Sequence, residues 1–119
     1  MGQRIAGTCY IKADGVQFDV KGNVETPLSP VNRETIMALA GAAGYKEVAQ
    51  RQYVKLTALF TPDFPIQQLI SSTNMTITAE MANGKVYTLT AAWLEGETIT
   101  NGDEGEASIE FSGLKGIWQ

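Results

Sequence analysis

The chain has 119 residues and a mass of 12.9 kDa, which suits one domain with a single modest core. Its net charge is −4, it lacks histidine and it has one cysteine, which excludes imidazole-based catalytic or metal sites and an internal disulfide. The nine basic residues are scattered singly and form no face for a phosphate backbone. No apolar run approaches the ~20 residues of a membrane-spanning helix, and no secretory signal opens the chain, so we expect cytosolic synthesis without membrane insertion.

The first predicted element is a hairpin over residues 8–21, with Asp14 and Gly15 at its tip. This dipeptide favours a two-residue type I′ turn because both residues tolerate a positive φ. The turn sets three apolar pairs on one face, namely Ala13 with Val16, Ile11 with Phe18, and Cys9 with Val20. Within that row we expect Cys9 to be a buried, unreactive thiol.

Residues 22–52 show no clear periodicity and form the predicted long extended loop. Pro27 and Pro30 break the first part, and residues 33–40 fit either a helical turn or a weak strand. Gly41 and Gly44 bracket two alanines without the Gly-Lys-Ser/Thr of a phosphate-binding loop, so a turn is expected there. Because the segment is apolar and disordered linkers are polar, docking on a neighbouring subunit is favoured over a floppy insertion.

The next predicted strand covers residues 53–60 and precedes a short helix. Alternation places four residues in one inward row, Val54, Leu56, Ala58 and Phe60. The helix shows an apolar stripe formed by Ile66, Leu69 and Ile70. Thr61 or Asp63 is the predicted cap, and Ser71 with Ser72 is the predicted end.

A second hairpin covers residues 75–93, with Ala82, Asn83 and Gly84 between its strands. A two-residue turn would place the apolar residues of one strand beside the threonines of the other. A three-residue loop with a left-handed Gly84 instead produces three apolar pairs, Ala79 with Tyr87, Ile77 with Leu89, and Met75 with Ala91. The inward row of the second strand then continues to Trp93, and the other face is lined by threonines and Glu80.

The last predicted strand covers residues 106–112, with Ala107, Ile109 and Phe111 inward and Ser112 outward. It follows an acidic loop over residues 95–105, where a solvated turn is favoured over a calcium site because the spacing is not that of an EF-hand. Six alternating strands and one short helix predict a mainly β chain with antiparallel sheets that have one covered face. The tyrosines and tryptophans fit core or interface packing better than base stacking.

The order of these elements resembles the tail tube protein of Mu-like contractile-tailed phages and prophages. The resemblance covers nearly the whole chain, including the Asp14 tip, the long loop, the strand from Tyr53, the Met75 to Lys85 run and the closing Gly105 to Gly113 strand. It implies one tail-tube-like β domain over residues 1–119, an antiparallel β-sandwich that forms hexameric rings. The rings stack into the inner tail tube, with a channel for DNA ejection.

The resemblance also implies partners and surfaces. The partners are other copies of the chain, the tail sheath, the tape measure protein, the baseplate and the tail terminator, in the virion tail and, before assembly, in the host cytoplasm. No catalytic residue, metal or cofactor is implied. The expected ring-stacking residues are Gly41, Ala42, Ala43, Gly44, Tyr45, Lys46 and Glu47. The candidate channel wall consists of Thr76, Thr78, Glu80, Thr88, Thr90, Glu106, Ser108 and Glu110.

Three alternatives remain at this point. The tube component of a tailocin or of a type VI secretion system would have the same architecture. A stand-alone β-barrel binding module would use Trp93 and Tyr87 to line a ligand pocket. An enzyme is the least favoured reading, because histidine is absent and no pair of acidic residues has a useful spacing.

Overall fold

The computed structural model describes residues 9–119, and β-strands make up most of that part of the chain. The first six strands are β1 (Cys9–Ala13), β2 (Val16–Phe18), β3 (Val20–Glu25), β4 (Val31–Ala38), β5 (Gly41–Ala49) and β6 (Gln52–Leu59). Helix α1 (Ile66–Ser71) and five more strands follow, β7 (Met75–Met81), β8 (Val86–Leu94), β9 (Ile99–Asn101), β10 (Glu106–Gly113) and β11 (Lys115–Trp118). The predicted mainly β fold with one short helix is confirmed.

Nine of the strands form one antiparallel sheet that folds over into two layers. The order is β2-β1-β7-β8-β10-β6-β3, while β11 pairs with β8 and β9 pairs with β10. The chain passes between layers at β8, which pairs with β7 and β11 along most of its length and with β10 at its end. Because β1 also approaches β3, the sheet is nearly closed.

The core lies between the two layers, where the apolar rows of the strands meet. Its largest fully buried side chains are Tyr87, Phe111, Ile11, Leu56, Met75, Ile77, Leu89 and Val54. The Phe18 ring packs against Phe111 and Phe64, with centroid separations of 6.3 and 5.7 Å. Period-two alternation on β1, β6, β7 and β10 therefore identifies the buried face correctly.

The first hairpin is confirmed at its tip and differs at its base. Ala13 pairs with Val16 and Ile11 with Phe18, and Asp14 and Gly15 have φ values of 49° and 85°, as a type I′ turn requires. Val20 pairs with Ala58 of β6 instead of Cys9, so that prediction is wrong. The chain leaves the first layer at Asp19, whose carbonyl accepts a 2.7 Å hydrogen bond from the Leu59 amide. Thr8 and the side chain of Cys9 lie outside the described part.

The second hairpin has the predicted three-residue loop and an unpredicted bulge. Ala79 pairs with Tyr87 and Ile77 with Leu89, and Gly84 has a φ of 90°. Met75 pairs with Ala92 instead of Ala91, because Ala91 takes a φ of 52° and inserts one extra residue. Beyond this bulge the alternation changes phase, so Ala92 is buried and Trp93 leaves the predicted inward row.

Three smaller expectations are also corrected. Phe60 lies beyond the end of β6 and is partly exposed, because the chain turns there towards α1. Helix α1 has Pro65 at its N-cap with no side-chain cap, so neither Thr61 nor Asp63 caps it. Ser112 is buried instead of outward, and its Oγ accepts a 2.6 Å hydrogen bond from Arg51 Nη1.

The segment 22–52 is extended, as predicted, but it is regular. Its first residues belong to β3, and β4 and β5 pair with each other as a separate two-stranded sheet. The expected turn at Gly41 to Gly44 lies instead at residues 39–40, and those glycines are part of β5. Weak alternation obscured this hairpin, because both of its faces are exposed to solvent.

Candidate assembly interface

The β4–β5 hairpin, residues 31–49, projects from the rest of the molecule. Apart from each other, its strands make at most marginal contact with any other described element. The radius of gyration is 17.1 Å and the longest dimension 61 Å, whereas a compact domain of this length would have a radius of gyration of about 13.5 Å. Nearly every residue of the two strands is exposed. We call this element the projecting hairpin and the remainder the sandwich body.

The lower half of the projecting hairpin carries one ion pair on each face. Arg33 lies opposite Glu47 with 3.8 Å between Nε and Oε1, and the neighbouring pair Glu34–Lys46 has an Oε2–Nζ distance of 3.2 Å. The Arg33 guanidinium also lies 5.6 Å from the centre of the Tyr45 ring. Because all these groups are exposed, each contact adds at most ~0.5 kcal/mol, and the pairs set strand register more than stability.

The outer half of the projecting hairpin is apolar and carries no charge from Thr35 to Tyr45. Leu39 at the turn is fully exposed, Met37 is 68% exposed and Ile36 about half. A bulge between Ile36 and Met37 leaves Ala43 without a paired residue on β4. Such a concentration of exposed apolar side chains is typical of a surface that a partner covers.

Five of the seven residues expected to contact a second ring, Gly41 to Tyr45, lie in the uncharged half of the projecting hairpin. Lys46 and Glu47 lie just below, in the two ion pairs. The sequence did not reveal that Ile36, Met37 and Leu39 belong to the same end of the hairpin. Their pairing with β5 across the residue 39–40 turn brings them there.

A buried polar clamp holds the base of the projecting hairpin. The Gln52 side chain accepts a 2.7 Å hydrogen bond from the Tyr87 hydroxyl, and its Nε2 donates to the carbonyls of Gln50 and Ser29 at 3.0 and 3.4 Å. Burial raises the pKa of Tyr87 to about 12. Gly116 is required beside this clamp, because a Cβ there would lie 2.6 Å from Gln52 Oε1.

The Trp118 indole fixes the chain that enters the hairpin. Its Nε1 donates a 3.1 Å hydrogen bond to the Pro27 carbonyl, and its ring lies 5.1 Å from the Tyr87 ring. Together with the Gln52 clamp, this contact fixes both chain segments at the hairpin base relative to the core. The projecting hairpin is therefore anchored at its base, while its tip lies in solvent.

The threonine residues form a polar outer face on one layer of the sandwich body. Thr78 lies between Lys12 on β1 and Thr88 on β8, and Thr88 lies opposite Ile117 on β11. Thr90 Oγ1 donates a 3.2 Å hydrogen bond to the Lys115 carbonyl. The structure brings together five of the candidate wall residues on β7 and β8, which are Thr76, Thr78, Glu80, Thr88 and Thr90. The sequence did not predict β11, because Ile117 points outward and so breaks the alternation of inward apolar and outward polar residues.

The other three candidate wall residues lie on the opposite layer. Glu106, Ser108 and Glu110 are on β10, which pairs with β6. Lys21 Nζ lies 2.7 Å from Glu106, and Arg51 Nη2 lies 2.8 Å from Glu110. The hydrogen bond that Lys21 donates to Glu106 is the main reason why the pKa of Lys21 is raised. The predicted wall residues therefore form two separate groups instead of one surface.

The two aromatic residues of the proposed ligand pocket lie in different surroundings. Tyr87 is buried at the clamp, while Trp93 is half-buried and its Nε1 donates to Glu95 at 3.1 Å. An apolar cleft of about 290 Å³ lies elsewhere, between α1 and the β9–β10 region, and neither residue lines it. Among residues 9–119, no group of three or more acidic or cysteine side chains is arranged to hold a metal ion. No helix in that range is long and apolar enough to cross a membrane.

The described part of the chain is a β-sandwich body with a projecting hairpin that is anchored at its base. The chain belongs to the phage tail tube protein family, whose pattern it matches over residues 2–118. Comparison with curated proteins finds no match.

Among solved structures, the chain is similar to one from an extracellular contractile injection system, described as its PVC sheath/tube terminator in the extended state. The TM-score is 0.66 at 8% identity, and the alignment covers 100% of this chain and 98% of that one. This likeness concerns the fold.

Proposed function

We propose that this protein forms hexameric rings that stack into the inner tube of a contractile phage tail and enclose the channel for DNA ejection. The observation that carries the proposal is the projecting hairpin with its uncharged, exposed tip. A two-stranded hairpin is marginally stable in water on its own. A neighbouring ring that covers the tip would remove its apolar surface from water and so provide the stabilisation that the free subunit lacks.

Ring closure would use the edges of the nine-stranded sheet. The strand order ends in β2 and β3, of which β2 has three residues and β3 has an irregular register against β6. Short and bulged edges discourage indiscriminate strand pairing, so an edge contact in a ring would be selective. Six copies at −4 each would give the ring a formal charge of about −24.

The threonine face is the better candidate for the channel wall. Because the two groups of candidate residues lie on opposite layers, one subunit presents only one of them to a channel. The threonine face carries two lysines, Lys12, which lies 3.8 Å from Glu80, and Lys115, which lies opposite Thr90. The other face carries Lys21, Arg51 and Lys55 among its acids, and cations retain a phosphate backbone. With two cations against three, a wall in which hydroxyls predominate would hold DNA less strongly.

The proposed partners are the tail sheath, the tape measure protein, the baseplate and the tail terminator, with the assembled protein in the tail particle and the free subunit in the host cytoplasm. Neither a catalytic step nor a cofactor or metal is part of this role. The alternative is the tube of a tailocin or a type VI secretion system, which the likeness to an injection-system component favours. Neighbouring capsid and tape measure genes would favour the phage tail.

Electron microscopy of the concentrated protein tests the proposal. We expect rings with six-fold symmetry and stacks of rings, and a reconstruction should show the threonine face towards the lumen. Because assembly of such proteins is nucleated, the sample is also examined after addition of preformed tube fragments or baseplates. Monomers under both conditions would contradict the proposal.

Replacing the wall carboxylate tests the channel. The Glu80→Lys variant should assemble and slow DNA ejection several-fold, because six added lysines at one level of the channel attract phosphates. Ejection kinetics from reconstituted particles provide the measurement. The matched control is the double variant Lys12→Glu/Glu80→Lys, which exchanges the two charges without changing the net charge and should eject normally. Unchanged kinetics in the single variant would contradict a lumen position for Glu80.

A further inference from the structure

The apolar cleft beside α1 is a surface that the sandwich body does not fill. Leu69 and Ile109 are buried at its floor, while Ile70 and Ile99 at its rim are 65% and 61% exposed. Its remaining lining is apolar or hydroxyl-bearing, and none of the lining side chains is charged. A volume of about 290 Å³ accommodates side chains, since a water occupies about 30 Å³.

The tip of the projecting hairpin has the matching chemistry on the same molecule. It presents Ile36, Met37 and Leu39 to solvent without a charge nearby. Within one subunit the hairpin makes at most marginal contact with α1, β9 or β10, so the tip does not fill its own cleft. Two uncharged apolar surfaces, one convex and one concave, are thus both exposed in the monomer.

We propose that the hairpin tip of one copy docks in the α1 cleft of a second copy. This inference rests on the proposed ring stacking and names the surface that receives the hairpin. Leu39 and Met37 would enter between Ile70 and Ile99, and the interface would exclude water without burying a charge. Because a different surface is used on each partner, the contact is heterologous and propagates from subunit to subunit.

A second apolar recess on the sandwich body is a poorer receiver. It is lined by Leu28, Met81 and Trp118 together with Asn83 and Lys85. An apolar tip that docked there would desolvate the ammonium and the amide without offering either a partner, which is unfavourable. The absence of charge in the α1 cleft is the feature that selects it.

The small size of this contact fits an assembly that forms cooperatively. A hairpin tip buries much less than the ~1,000 Å² expected of a stable pairwise interface, so two isolated subunits would bind weakly. Six such contacts between two rings act together and raise the effective affinity strongly. Docking is therefore expected in stacked rings and at high concentration, with dilute subunits free.

Disulfide crosslinking between two variants tests the contact directly. Leu39→Cys and Ile70→Cys subunits are mixed, assembled and oxidised, and wild type, which retains Cys9, provides the background. We expect a covalent dimer in the mixture at ten times the amount in either variant alone. After trypsin digestion, mass spectrometry should join the peptide with residues 34–46 to the peptide with residues 56–85. Assembled mixtures without this product would overturn the proposal.

Charge variants keep the proposal testable if the cysteine variants assemble poorly. Ile70→Glu should lower the assembled fraction at least about tenfold and leave the fold intact, because this rim side chain is exposed. The Leu39→Lys substitution should also lower the assembled fraction. Combining it with Ile70→Glu should restore assembly, whereas combining it with Leu28→Glu should not. The proposal that the α1 cleft receives the tip would be overturned if Ile70→Glu assembled normally. It would also be overturned if assembly of Leu39→Lys were restored by Leu28→Glu and not by Ile70→Glu.

The outcome also separates this inference from the proposed function. If removal of the projecting hairpin abolishes tubes while Ile70→Glu assembles normally, ring stacking through the hairpin stands and the α1 cleft does not receive it. If tubes form without the hairpin, both the stacking role and this inference fail.

Discussion

The sandwich body and the projecting hairpin consist of the same antiparallel strands but have different sources of stability. In the body, rows such as Ile77 and Leu89 are completely buried between two layers. In the hairpin, strands of comparable length have both faces in solvent, with backbone hydrogen bonds, two exposed ion pairs and the Arg33–Tyr45 contact. We therefore expect the body to be stable by itself, whereas the hairpin lacks stabilising side-chain packing in the free subunit.

This difference supports the proposed role of the projecting hairpin in contacts between subunits. The Gln52 and Trp118 contacts fix the base of the hairpin to the body, so the direction of the tip is set in advance. Such preorganisation reduces the conformational entropy lost on docking. A hairpin whose base is fixed to the body and whose tip is exposed is suited to contact a second subunit.

The largest expected contrast comes from one leucine in each region. Leu89→Ala removes a fully buried side chain and should lower the free energy of unfolding by about 3 kcal/mol. Leu39→Ala removes a fully exposed one and should change it by less than ~0.5 kcal/mol, while tube formation decreases. Urea denaturation measures both. Equal destabilisation by the two substitutions would abolish the distinction between the regions.

A smaller effect is expected at the clamp that joins them. Tyr87→Phe leaves Gln52 Oε1 without its buried donor and should lower the free energy of unfolding by about 1–2 kcal/mol. Hydrogen exchange should show faster exchange at the hairpin base, near Gln50, than in β7. Uniform acceleration throughout the body would instead indicate a general loss of packing.

The same side chain predicts a pH dependence. Because burial raises the pKa of Tyr87 to about 12 in the folded state, from about 10 when unfolded, the unfolded state loses its proton first as pH rises. The stability linked to Tyr87 is therefore complete below pH 10 and decreases between pH 10 and 12. Denaturation of wild type in this range should show a decrease that is reduced in Tyr87→Phe. Parallel curves would contradict the assignment.

The smallest effect is expected for the hairpin ion pairs. Glu34→Ala should change the free energy of unfolding by less than ~0.5 kcal/mol, because the pair with Lys46 is exposed. A double-mutant cycle with Lys46→Ala, measured at low and high salt, isolates the interaction. A coupling above ~1 kcal/mol would mean that the hairpin is more protected than its exposure indicates.

The sequence predicted the parts of the fold whose pattern is local. Asp14-Gly15 and Ala82-Asn83-Gly84 fixed two turns, and alternation identified the inward residues of β6, β7 and β10. The errors occur where tertiary contacts override that pattern. Ala91 bulges where β8 passes between layers, and Val20 leaves its hairpin to pair with Ala58. Neither position is a glycine or a proline, so the sequence carries no local signal for either change.

The candidate interface was predictable only in part. The Gly41 to Glu47 run was predicted as a surface for a neighbouring ring, but both hairpin faces are exposed, so no alternation revealed its strands. The candidate wall residues were identified as polar rows without a sign that they lie on opposite layers, because layer assignment depends on strand order. The α1 cleft requires α1, β9 and β10 to meet, and its residues are distant in sequence.

Excision of the projecting hairpin tests the central claim most directly. Val31 and Ala49 are paired, so residues 32–48 can be replaced by Asn-Gly without moving the ends of the chain. Thermal unfolding of this variant and electron micrographs of it at high concentration are compared with those of the full chain. We predict an unfolding midpoint within a few degrees of wild type and no tubes. Loss of the folded body, or tubes like those of the full chain, would contradict the account.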